Sequence, residues 1–93
     1  MQLDEFSKIC KEKQETRKIW PDVIRVAREL ALIELPIALK AHHQQVISED
    51  ETRAAHKKRQ EFEFITATLK NICMELGIEA PELYASDLSS FDQ

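Results

Sequence analysis

From Ala55 onward, core-type positions recur in alternating steps of three and four: Ala55, Lys58, Phe62, Ile65, Leu69, Ile72 and Leu76, with lysine the one charged member. That period is the seam of a helix packed along its length. Both ends of the helix are marked. Ser48-Glu49-Asp50-Glu51 reads as a capping box, with the serine hydroxyl accepting from the Glu51 amide while the Glu51 carboxylate reaches back to the Ser48 amide. Gly77 followed by Ile78 reads as a stop, because glycine takes the left-handed conformation and the apolar residue closes over it. The pattern predicts a helix over about 49–76, roughly 42 Å long at 1.5 Å per residue.

A second periodic stretch precedes it. Val23, Val26, Leu30, Ile33 and Ile37 form one stripe, and Ile24, Ala27, Ala31, Leu35 and Ala38 form another beside it. Leu32 and Leu39 lie off both. Apolar surface around most of the circumference predicts a helix buried on several sides. Pro21 suits a first helical position, and Asp22 suits the positive end of the dipole. The helix is predicted over about 21–41, roughly 31 Å. Pro36 should bend it by removing the donor for the Leu32 carbonyl. His42-His43-Gln44-Gln45 reads as its end and the turn.

Leu3, Phe6, Ile9 and Cys10 predict a first helix over about 4–18, capped by Asp4 and closed before Trp20-Pro21. After Gly77, Pro81 can open a short helical turn, with Leu83, Tyr84, Leu88 and Phe91 as anchors. Residues 89–93 are expected to fray. The fold class is therefore all-α: one domain, 1–93, a small bundle of three main helices (about 4–18, 21–41 and 49–76) with a short C-terminal turn. The second and third helices form an antiparallel hairpin. Their unequal lengths leave the third protruding unless the first helix or another subunit lies beside it.

Composition narrows the classes. One glycine and three prolines in 93 residues leave little punctuation for hairpin strands, and 43% apolar residues suffice for a core. Residues 1–60 carry 12 Lys/Arg against 10 Asp/Glu, whereas residues 61–93 carry one against seven. The acidic last third argues against general nucleic-acid binding there. Cys10 and Cys73 form no Cys-x-x-Cys motif and are expected to be reduced, buried thiols of a cytoplasmic protein. The most apolar stretch holds Arg25, Arg28, Glu29, Glu34 and Lys40, too many charges to cross a bilayer.

Four groups are candidates for chemistry. His42 and His43 end the second helix, and His56 lies two turns into the third, so a hairpin brings them toward one another and toward Glu49 to Glu51. Zinc or nickel would suit such ligands, but no His-Glu-x-x-His spacing is present, and surface histidines are the expectation. Arg53, His56, Lys57 and Gln60 share one helical face, with Lys58 and Arg59 beside them and Glu49 placed to pair with Arg53. That face suits phosphate, yet flanking acids and missing aromatics favour a solvated surface. Phe64 points away from the seam. Core packing is expected for it, and exposure to a partner if the third helix has a single neighbour. Glu34 stands amid apolar residues and needs a cation, for which Arg17, Lys58 or a second subunit are available.

Asp50-Glu51-Thr52-Arg53 opening a helix is similar to an element of the helical chorismate mutases, but Ala54 stands where that motif continues with glutamate. The chain after Gly77 is also too short for a third long helix of that kind, and no enzyme is read from the likeness. No phosphate-binding Gly-rich loop, Gly-x-Ser-x-Gly or Cys–His motif is present. The sequence thus reads as a non-enzymatic protein–protein interaction module, a small regulatory, adaptor or chaperone-like protein working by helix packing, as a homodimer or with another protein. Its expected contacts are Arg53, His56, Lys57, Arg59, His42, His43 and Phe64, without metal or cofactor. A nucleic-acid-binding regulator is the alternative, and a small helical enzyme or metal-binding protein a further one.

Overall fold

The caps predicted at Ser48 and Gly77 are where the chain turns, whereas Asp4 is no cap, because the first helix already begins at Leu3 after Gln2. In the computed structural model, which describes residues 1–91, Ser48 Oγ accepts from the Glu51 amide at 3.1 Å and the Ser48 amide faces Glu51 Oε1 at 3.5 Å. Asp92 and Gln93 lie outside the described residues. At the far end Gly77 takes φ +74°. The Gly77 amide donates to the Met74 carbonyl at 3.1 Å and the Ile78 amide to Cys73 at 2.8 Å, the double closure of a Schellman motif. Between these ends runs α3, Glu49–Glu75, preceded by α1, Leu3–Glu12, and α2, Ile19–His42, and followed by the short α4, Ala85–Leu88. No strand occurs among the described residues.

Two boundaries differ from the pattern. The first helix ends at Glu12 rather than near Lys18, and Lys13 is extended. The buried Thr16 hydroxyl donates to the Cys10 carbonyl at 2.8 Å, satisfying an acceptor that the helix end frees. The chain thereby folds back so that Trp20 meets Phe6 edge-on, ring centres 6.0 Å apart. The second helix starts at Ile19, which leaves Pro21 in the first turn, where no amide donor is required. It runs through Pro36 to His42. Gln44 closes it at φ +57°, with its amide on Ala41 and the Gln45 amide on Lys40 at 2.7 Å. This is the same closure as at Gly77, made by a residue that pays a steric cost for it.

The core sits at one end of a molecule 45 × 20 × 19 Å in extent. The first half of α2 contributes Trp20, Val23, Ile24, Val26, Ala27 and Leu30, all buried. Phe62, Leu69 and Cys73 of α3 face it, with Phe6 and Cys10 from α1 and Leu83, Ala85 and Leu88 from the C-terminal segment. Arg28 donates to the Ser89 carbonyl at 3.2 Å and to that of Phe91, whose ring packs edge-on to Trp20. Residues 89–91 are therefore tied to α2 rather than frayed.

Burial of α2 on several sides holds only as far as Leu30. Beyond it α3 packs on one side and the C-terminal segment only flanks the helix, and Leu32, Leu35 and Leu39 stand in solvent. Phe64, expected in the core, is also exposed, because α3 packs on one side only at that point. Cys10 and Cys73 are buried free thiols. Burial, reinforced by Cys73, pushes the Cys10 thiol up to about 12, and burial raises Cys73 as well.

Two adjacent leucines separate the halves of α2. Leu30→Ala should lower unfolding stability by about 2–5 kcal/mol, as fully buried leucines do. In the dilute single chain Leu32→Ala should change it by less than about 0.5 kcal/mol, as exposed positions do. Urea unfolding of the two variants beside the parent chain measures both.

Candidate functional site

Beyond Leu30 and Phe62, charges replace hydrocarbon between α2 and α3. Lys40 Nζ meets Glu51 Oε1 at 2.5 Å. Lys58 Nζ reaches Glu61 at 2.9 Å and Glu29 at 3.4 Å. Arg59 Nη2 contacts both Glu34 oxygens, at 2.5 and 2.7 Å. The cation for Glu34 is thus Arg59, not Arg17, Lys58 or a second subunit. The helical register decides this, because Arg59 lies on the side of α3 that abuts the Glu34 side of α2, whereas Lys58 turns toward Glu29. Both carboxylates of these outer pairs remain partly exposed, so the Arg59–Glu34 pair contributes at most about 1 kcal/mol after solvent screening.

The protonation equilibria follow the pairs. The Lys40 ammonium, then the Ser48 donors, hold the Glu51 carboxyl below its ordinary value. Glu61 is lowered by Lys58, and Lys58 is raised by Glu61 and then Glu29. Arg59 is held above its usual range by its hydrogen bond to Glu34.

The candidate contact residues are therefore split. Lys58 and Arg59 turn inward to α2. Arg53 pairs with Asp50 at 3.2 Å, not with Glu49. His56 lines an open groove with Ile47, Glu49, Thr52 and Arg53 at the hairpin tip. Lys57 is exposed on the outer face of α3, two turns before Phe64, which is 76% exposed. The His42 and His43 rings lie edge-to-face, centres 5.3 Å apart. Among the described residues no group of three or more His, Cys, Asp or Glu stands where it could hold a metal ion. No described helix is long and apolar enough to cross a membrane.

The most exposed apolar surface of α2 lies elsewhere, on residues outside the expected contacts. Leu32 is 74% exposed, Leu35 61% and Leu39 51%, spaced three and four apart on one side of α2, with Ala31 and Ala38 along its edge. The signal was present in the sequence: two of these leucines fall off both predicted stripes, and a helix wrapped in apolar residues needs more neighbours than this chain supplies. Two open cavities indent the stripe. One is bounded by Arg28, Ala31, Leu32, Leu35 and Ser89. The other is bounded by Ala31, Glu34, Leu35 and Ala38, with Ala85, Ser86 and Ser89 as its wall.

No protein-family model matches the chain, and neither a curated protein nor a solved structure does.

The ion pairs give the hairpin tip an acid sensitivity that the core lacks. Because the Glu51 carboxyl is lowered on folding, its contribution is complete above its ordinary value of 4.5 and is lost as pH falls through the lowered value. Amide protection across 49–58, taken relative to the intrinsic exchange rate at each pH, should therefore fall on acidification before protection at Leu69 and Cys73 does. Glu51→Gln should flatten that pH dependence. Simultaneous loss of protection at both ends would contradict it.

Proposed function

We propose that this protein is a non-enzymatic interaction module that docks through the open face of α2, centred on Leu35. The observation that carries the reading is the contrast within one helix. Its first half is buried by α1, α3 and α4, while its second half presents three leucines at helix-packing spacing to solvent. An amphipathic helix laid along such a face buries apolar area on both sides, and this is a recurring mode of protein recognition. A small regulatory or adaptor protein of a reducing compartment such as the cytoplasm fits this surface and the two buried thiols.

The basic face gives less support to the nucleic-acid alternative. Arg53, Lys58 and Arg59 are engaged with Asp50, with Glu29 and Glu61, and with Glu34, so few cations are left to neutralise phosphates.

The test is a single exposed substitution. Leu35→Glu should leave helicity unchanged while removing proteins captured by the immobilised parent chain. Capture that is equal for parent and variant would overturn the reading. Capture that instead fails with Lys57→Glu and weakens steeply with salt would favour nucleic acid.

A further inference from the structure

The occupant of the open face can be named, and the argument rests on reading that face as a docking surface. We infer that it receives the same face of a second copy of this chain, with the two α2 helices antiparallel and crossing at Leu35.

The shape of the face is the first ground. Residues 28, 31, 32 and 35 stand at i, i+3, i+4 and i+7, the four corners of the hole that accepts a side chain in knobs-into-holes packing. With Ser89 they line one of the two open cavities, of 330 Å³. Residues 31, 34, 35 and 38 repeat the arrangement one turn later along the other, of 270 Å³, whose far wall is Ala85, Ser86 and Ser89. The holes stand open in the single chain.

The order of side chains supplies the knobs. Three and four residues before Leu35 stand Leu32 and Ala31; three and four after it stand Ala38 and Leu39. In an antiparallel pair centred on Leu35, Leu32 faces the partner's Ala38 and Leu39 faces the partner's Ala31. Every exposed leucine of the stripe then meets an alanine, except Leu35, which meets its own copy on the two-fold axis. Alternation of large and small residues across facing helices fills the space between them. In a parallel pair, leucine would face leucine and alanine alanine, leaving collisions beside gaps.

The two hairpins together make a four-helix arrangement, in which the second half of α2 gains cover from its own copy.

Sedimentation of the full chain, together with cysteine cross-linking, tests the inference. The parent chain should sediment as a dimer, and Leu35→Glu should halve its mass without loss of helicity. Under diamide, Leu35→Cys should form a covalent dimer. Leu39→Cys should not, because the two copies of that position lie about 12 Å apart along the antiparallel axis, beyond disulfide reach. The unsubstituted chain, its thiols buried, should stay uncross-linked. Equal cross-linking through both positions would mean a parallel pair and overturn the inference. So would a parent chain that is monomeric at its highest soluble concentration. If that monomer still captures another protein and Leu35→Glu abolishes the capture, the docking face stands with a different occupant. If Leu35→Glu changes nothing, both readings fall together.

Discussion

The contact between α2 and α3 changes character along its length, and the other features of the molecule follow from where it changes. On one side of Leu30 and Phe62 it is hydrocarbon, closed from outside by α1 and the C-terminal segment. On the other side it is Lys40–Glu51, Arg59–Glu34 and the Lys58 pairs. Burial at the first end holds the fold. Partly exposed ion pairs at the second end set the register between two helices and contribute little to stability. A hairpin held in that way can display one side of α2 without needing that side for its own cohesion.

Helix propagation explains why the tip stays ordered on such modest interactions. Nucleation is the costly step, and the core end of each helix has already met it. Extending α2 from Leu30 to His42 and α3 back from Phe62 to Glu49 adds one backbone hydrogen bond per residue fixed. The capping box at Ser48 satisfies the orphan amides at the start of α3. The tip is thus a continuation of the body's helices, not a second core.

Local chemistry was legible in the sequence, and neighbourhood was not. Ser48 with Glu51 and Gly77 with Ile78 mark their helix ends through bonds between adjacent residues, so the pattern alone locates them. The stop at Gln44 uses the same geometry without glycine and carries no local mark. The end of α1 depends on Thr16 reaching Cys10, six residues back, a choice that helix propensity in residues 13–18 does not announce. Phe64 and the second half of α2 misled for a related reason. Periodicity shows which side chains share a face, but whether that face is covered depends on how many elements reach it. Here α1 packs on the core end of α2, and α4 with Ser89 only flanks the second half without covering Leu32, Leu35 and Leu39. Glu34 was recognised as needing a cation, but its partner could not be chosen until the rotation of α3 placed Arg59, not Lys58, beside it.

Magnitudes set how strong a pairing of the open faces can be. A leucine taken from full exposure to full burial gains about 1.5–3 kcal/mol. At the exposures of Leu32, Leu35 and Leu39, one stripe would gain about 3–6 kcal/mol on being covered. A two-fold pair covers two stripes at once, roughly 6–11 kcal/mol in gross terms, against an association cost of about 4–15 kcal/mol. A partner that contributes no apolar surface of its own gains only one stripe against that cost, whereas a self-complementary face gains two, enough for a measurable pair where the association cost lies toward the low end of its range. A second copy seated there would come and go with concentration, and another protein with a better-matched helix would compete for the same three leucines.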